Sequence, residues 1–205
     1  MESYITVKNP SHFEYEDRKS VFIGQAMPVS TESEAIAFID SVKKRYPDAR
    51  HHVYAYVLRE NFTMRFTDDR EPQGTAGMPV LDIIRKNGVT DVVIVVTRYF
   101  GGTLLGTGGL VKAYSSAAIG ALEDAEIIRY DIYTTLELSV SYSDYGKITS
   151  ILSDFGFRIE STAYDVGVTL SGRVIKSRLE ELQKALIEAT AGRINTEIIG
   201  EEFGF

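Results

Sequence analysis

From Arg98 to Lys112 the chain reads Arg-Tyr-Phe-Gly-Gly-Thr-Leu-Leu-Gly-Thr-Gly-Gly-Leu-Val-Lys, which places five of the seventeen glycines within nine residues. Glycine lets main-chain N–H groups turn outward, and the first turn of a helix leaves such groups unpaired at the positive end of its dipole. Gly101, Gly102, Gly106, Thr107, Gly108 and Gly109 are therefore candidates for cradling an anion, with Arg98 and Lys112 as flanking cations. A second polar stretch, Arg-Phe-Thr-Asp-Asp-Arg-Glu-Pro-Gln-Gly-Thr-Ala-Gly from Arg65 to Gly77, adds Arg65, Asp68 and Glu71. If the fold brings both stretches to one rim, Arg65, Asp68, Asp69, Glu71, Arg98 and Lys112 converge on one cleft. His51, Tyr99 and Tyr114 are accessory candidates, the histidine for proton transfer and the tyrosines for stacking or hydrogen bonding.

The spacing excludes several chemistries. A Walker loop needs Lys after its second spaced glycine, but Gly106 is followed by Thr107. A dinucleotide fingerprint beginning at Gly106 needs a third glycine where Val111 stands. No nucleophile elbow and no His-Glu-x-x-His zinc helix occurs. Asp68, Asp69 and Glu71 are hard oxygen ligands, yet adjacent strand-end carboxylates point opposite ways, so no metal site and no cofactor is expected. The alternative for the acids is internal: Asp68 pairing with Arg65 or Arg98, and Asp69 or Glu71 capping a loop.

Among the elements that must position these residues, Asp91 to Thr97 is almost wholly β-branched and reads as a strand buried on both faces. Leu110, Val111, Tyr114, Ala117, Ala118 and Leu122 follow at helical spacing. Upstream, residues 1–17 are read as an irregular arm with one short strand, and Arg18 to Met27 as a strand stopped by Pro28. Thr31 and Glu34 have capping-box spacing at the start of a helix that ends at Tyr46-Pro47. His51 to Leu58 and Phe62 to Thr67 form a hairpin through residues 59–61. Thr75 is the expected cap of a helix carrying Val80, Leu81, Ile83 and Ile84.

The pattern restarts near Glu126, giving expected domains at 1–125 and 130–205. The second contains an alternating strand from Leu136 to Tyr142, a helix capped by Ser143, two more strands, a helix beginning at Ser177 and a final strand from Arg193 to Ile199. The order β-α-β-β-α-β is the split β-α-β, ferredoxin-like arrangement. The fold class is α+β in two domains, the first of α/β type. The wet sheet face of the second, with Glu137, Ser139 and Thr169, is acidic to neutral and suits protein contact or dimerisation.

With 205 residues, 44% hydrophobic and 25% charged, the composition is that of a soluble globular chain. There is no cysteine and hence no disulfide or thiolate chemistry. The opening residues lack the pattern of a secretory signal and no apolar run is long enough to span a membrane, so a cytoplasmic location and no membrane partner are expected. Net charge is −7. Residues 1–125 carry 14 Lys+Arg against 16 Asp+Glu, and residues 126–205 carry 8 against 13, so a polyanion contact must be a local patch in the first half.

The motifs from Arg65 to Gly77, Val95 to Gly102 and Leu105 to Tyr114 resemble the signature of the Impact family, in its bacterial two-domain, YigZ-like branch. The resemblance covers nearly the whole chain. It implies an Impact-type N-terminal domain similar to the fourth domain of elongation factor G, a C-terminal domain similar to the fifth, and a link to translation, since eukaryotic Impact regulates translational control through protein contacts. Two departures matter: Arg70 stands where the family usually has Gly, and Thr103, Leu104 and Leu105 carry no charge where it often has Lys. His51 falls where the family has a His before its Ala-Tyr strand. The expected function is a non-catalytic, translation-associated module whose N-terminal cleft binds RNA, the ribosome or a translation-related protein. The competing reading is an enzyme acting on a small anionic or phosphorylated substrate, with Asp68, Glu71 or His51 moving protons.

Overall fold

A computed structural model describes residues 3–205. The first two residues of the expected N-terminal domain lie outside the described residues. The chain divides into two compact units, residues 4–129 and residues 130–205.

In the first unit the helices and strands follow the order β1 (Tyr4–Val7), β2 (Phe13–Asp17), β3 (Ser20–Pro28), α1 (Glu32–Arg45), β4 (His51–Val57), β5 (Met64–Thr67), α2 (Gly77–Lys86), β6 (Val92–Tyr99) and α3 (Gly106–Asp124). The opening segment thus holds two strands where one was expected. An antiparallel sheet runs β2-β3-β6-β4-β5. Its centre, β6, is buried along seven of eight residues. Alternation explains why: Val92, Ile94 and Val96 pack with Val80, Ile84, Tyr114 and Ala118 of α2 and α3, whereas Val93 and Val95 pack with Ala35, Ile39 and Val42 of α1. The sheet is therefore covered on both faces although it is antiparallel. The α3 side is close-packed to the backbone, since a Cβ on Gly24 would lie 2.3 Å from the Ala117 carbonyl oxygen.

The capping box forms as the sequence predicts: Thr31 Oγ1 accepts from Glu34 N at 3.2 Å and Glu34 Oε2 accepts from Thr31 N at 3.2 Å. The expected Thr75 cap does not form. Ala76 occupies the cap position of α2, and the Thr75 hydroxyl donates to the Pro72 carbonyl at 2.6 Å. Arg18 and Lys19, expected inside a strand, make a two-residue turn between β2 and β3, with φ of 47° and 64°. Such non-glycine left-handed residues suit the primed turns of tight hairpins.

The second unit continues with β7 (Ile127–Val140), α4 (Tyr142–Asp154), β8 (Arg158–Tyr164), β9 (Val168–Ile175), α5 (Leu179–Thr190) and β10 (Asn195–Gly204). Its antiparallel strand order β10-β7-β9-β8 is that of the split β-α-β fold. Leu136, Leu138, Leu170 and Val174 meet Ile148, Leu152, Leu182 and Leu186 of the two helices. Ser141, not Ser143, caps α4, accepting from Asp144 N at 3.2 Å. A short 3-10 turn, Lys176–Arg178, precedes α5, so the helix starts at Leu179, two residues after the expected Ser177. Among the described residues no helix is long and apolar enough to cross a membrane.

Candidate anion-binding site

Asp68 lies at the end of β5, where the chain turns toward α2. Its Oδ1 accepts from Ala76 N at 3.1 Å and Gly77 N at 2.8 Å, and its Oδ2 accepts from Gly74 N at 2.9 Å. This carboxylate occupies the positive end of α2, so the first Gly/Thr-rich helix start is closed by the chain's own anion. Asp69 is also engaged: its Oδ2 accepts from His52 N at 2.6 Å and its carbonyl accepts from His51 Nδ1 at 2.8 Å. Arg70 has φ of 70°, the left-handed conformation for which glycine is suited, and its Nη2 donates to the Arg50 carbonyl at 2.7 Å.

Glu71, Arg98, Tyr114 and His51 do converge. Arg98 Nη1 donates to Glu71 Oε1 at 2.6 Å, the Tyr114 hydroxyl donates to the same oxygen at 2.8 Å, and His51 Nε2 lies 3.7 Å from it. Burial and the Glu71 charge together push the Tyr114 hydroxyl far above its ordinary pKa, so it remains a donor. The Arg98 guanidinium also stands over the Phe22 and Phe100 rings at 5.3 and 5.6 Å. Buried and paired, Arg98 is a structural cation that locks the Arg65–Gly77 segment onto β6 and α3. The sequence pattern suggests a ligand cation at the rim; here its guanidinium faces Glu71.

Arg65 is elsewhere. It pairs with Tyr56 across β4 and β5, and Tyr56 packs in the α1-facing cluster, so Arg65 projects from the sheet face opposite Arg98. Arg65 therefore does not join Glu71, Arg98, Tyr114 and His51.

The second Gly/Thr-rich helix start is built differently. Leu105 holds the cap position of α3 with no side-chain hydrogen bond, and Gly106 has φ of 72°. Gly106, Thr107 and Gly108 are exposed, and no hydrogen bond to their N–H groups occurs among the described residues. A Cβ built on Gly106 or Gly108 would meet nothing within 4 Å, which leaves room for an approaching ligand. Gly109 turns inward toward Leu105, and Lys112 is exposed one helical turn further on. Gly102 has φ of 86°. Gly101 is fixed: its N–H donates to Ser20 Oγ at 3.1 Å, and a Cβ there would lie 2.0 Å from the Lys19 carbonyl carbon. Tyr99 faces away from the loop, donating to Asp48 Oδ1 at 2.9 Å.

That close approach brings in two cations that the sequence pattern did not mark. The Arg18-Lys19 turn is exposed and lies against the glycine loop, with Arg18 Nη1 reaching the Leu104 carbonyl at 3.5 Å. The available signal was the pair of strand-like runs on either side of residues 18 and 19. Open amides on Gly106 to Gly108, the exposed Arg18-Lys19 turn and the exposed Lys112 are the groups this end of α3 offers to a phosphate-like anion.

A model of the Impact N-terminal domain matches residues 18–122, and one of a domain of unknown function, DUF1949, matches residues 138–193. The IMPACT family member YvyE of Bacillus subtilis is 35% identical over 194 residues, covering 94% of this chain and 89% of that protein. The chain belongs to the Impact family. YigZ of Escherichia coli, another member, is 34% identical over 204 residues, covering 98% of this chain and all of its own length. A solved structure titled as a hypothetical protein has the same fold, with a TM-score of 0.61, 33% identity and 98% of both chains covered. Protein IMPACT of Bos taurus is 32% identical over 94 residues, covering 44% of this chain and 30% of that protein. The shared part with the animal protein is thus a fraction of each chain, whereas YvyE and YigZ match over most of their length.

Proposed function

We propose that this Impact-family protein is a non-catalytic, translation-associated module that binds RNA, including ribosomal RNA, through the open start of α3. The observation carrying this reading is the contrast between its two glycine-rich helix starts. One is closed by Asp68, while the other presents the amides of Gly106, Thr107 and Gly108 between Lys112 and the Arg18-Lys19 turn. Phosphate oxygens satisfy such amides, and the lysines and arginine supply the charge that holds a nucleic-acid backbone. The acids that an enzyme would use are committed to internal partners, Asp68 to three amides and Glu71 to Arg98 and Tyr114. The link to translation draws on the family.

Filter binding against structured ribosomal RNA tests the reading. The unsubstituted protein is expected to retain RNA at low salt, and an Arg18→Ala, Lys19→Ala, Lys112→Ala variant to lose that retention while keeping its melting temperature. Equal retention by both, or none by either, rejects the proposal.

A further inference from the structure

We propose that the groove between α1 and β3 binds a nucleoside monophosphate, at a site separate from the RNA-binding loop. The groove has a volume of about 470 Å³ and is lined by Gln25, Met27, Phe38, Ser41, Arg45 and Asp124, along with the Pro10-Ser11-His12 segment. That volume falls within the range of about 300–1,000 Å³ common for small-molecule sites.

Gln25 is the decisive residue. It pairs with Val95 across β3 and β6, which directs its side chain to the α1 face, and it is only 3% exposed. Its Oε1 has no hydrogen-bond partner among the described residues. Enclosing a carboxamide oxygen without a donor is unfavourable, so a group that supplies one is favoured there. Rotation about the soft terminal torsion of Gln25 can present its oxygen and its NH₂ to an adjacent acceptor and donor, the pattern on a nucleobase edge.

The other walls fit the rest of the molecule. Phe38 and Met27 are half-buried and offer an apolar surface to a planar base. Asp124 is steered by the His12 N–H, which donates to its Oδ2 at 3.0 Å, and a carboxylate so placed accepts from ribose hydroxyls. Arg45 ends α1, is exposed and has no ion pair among the described residues, leaving its guanidinium for the phosphate. The base, the sugar and the charged group each have a matching wall.

Calorimetric titration with AMP, GMP, CMP and UMP, and with inorganic phosphate as a control, tests the assignment. At least one nucleotide should bind more tightly than phosphate, with Gln25→Leu and Arg45→Ala each weakening it by about tenfold or more, as expected when one hydrogen bond or ion pair is removed. Lys19→Ala should leave that affinity unchanged, since the RNA-binding loop is a different site. Gln25→Leu should hold or raise the melting temperature, because its Oε1 has no internal partner to lose. Absence of binding by all four nucleotides, binding no tighter than phosphate, affinity unaffected by either groove substitution or reduced by Lys19→Ala, or a marked fall in the melting temperature of Gln25→Leu would each overturn the proposal.

Discussion

Glu71 and Arg98 form an ion pair at 2.6 Å with side chains only 4% and 7% exposed, although 27 residues separate them in sequence. Removing one member of a buried pair leaves the other charge uncompensated, at a cost of about 3–5 kcal/mol. Glu71→Leu and Arg98→Met are each expected to destabilise the protein by that amount in urea titrations. The triple variant that also carries Tyr114→Phe removes both charges and the tyrosine hydroxyl together and should recover most of the loss. A triple variant as unstable as the sum of the single ones contradicts the structural role assigned to the pair.

Asp68 closes α2 by accepting from three amides. Asp68→Ala should lower stability by about 2 kcal/mol, the upper end for loss of a helix cap. The same variant opens a second anion-favouring helix start. Phosphate should therefore raise the melting temperature of Asp68→Ala more than that of the unsubstituted protein, an outcome that differential scanning calorimetry can check.

Gly101 lets the loop before α3 lie directly on the Lys19 backbone. Gly101→Ala must push the two apart, at an expected cost of about 1–3 kcal/mol for overpacking. It should also weaken RNA retention by separating the Arg18-Lys19 turn from the amides. Unchanged stability on chemical denaturation would mean that the loop does not need this approach.

His52 is buried with Nδ1 3.2 Å from Thr97 Oγ1, and burial holds its pKa below the ordinary 6.5, against the pull of Asp69. Below pH 6.5 the unfolded chain takes up a proton that the folded one refuses until lower pH. The unfolded state then binds more protons, so the His52 contribution is complete above 6.5 and falls as pH drops toward the folded value. Melting temperatures measured between about pH 7.5 and 5.5 should fall less for His52→Gln than for the unsubstituted protein. Parallel decreases in the two proteins would exclude His52 as a source of acid sensitivity.

Local signals read well from the sequence. The Thr31 and Glu34 capping box, the β-branched run of β6 and the β-α-β-β-α-β order of the second unit depend on spacing within one element. What escaped depends on long reach or parity. Thr75 looked like a cap, but Asp68 returns from six to nine residues upstream to take the amides instead. Arg65 and Asp68 sit three apart in sequence, yet strand register sends Arg65 to the α1 side of the sheet. The burial of Arg98 was not legible because its partner Glu71 arrives from another loop. Arg18 and Lys19 were hidden inside an expected strand, since glycine or asparagine is the usual mark of a two-residue hairpin turn.

The most direct test of RNA binding at the open start of α3 is the salt dependence of affinity for a short ribosomal RNA stem-loop. Log affinity should fall linearly with log salt concentration, and the Arg18→Ala, Lys19→Ala double variant should bind more weakly with a slope shallower by about two, one for each phosphate no longer neutralised. An identical slope and affinity in the double variant would contradict the account.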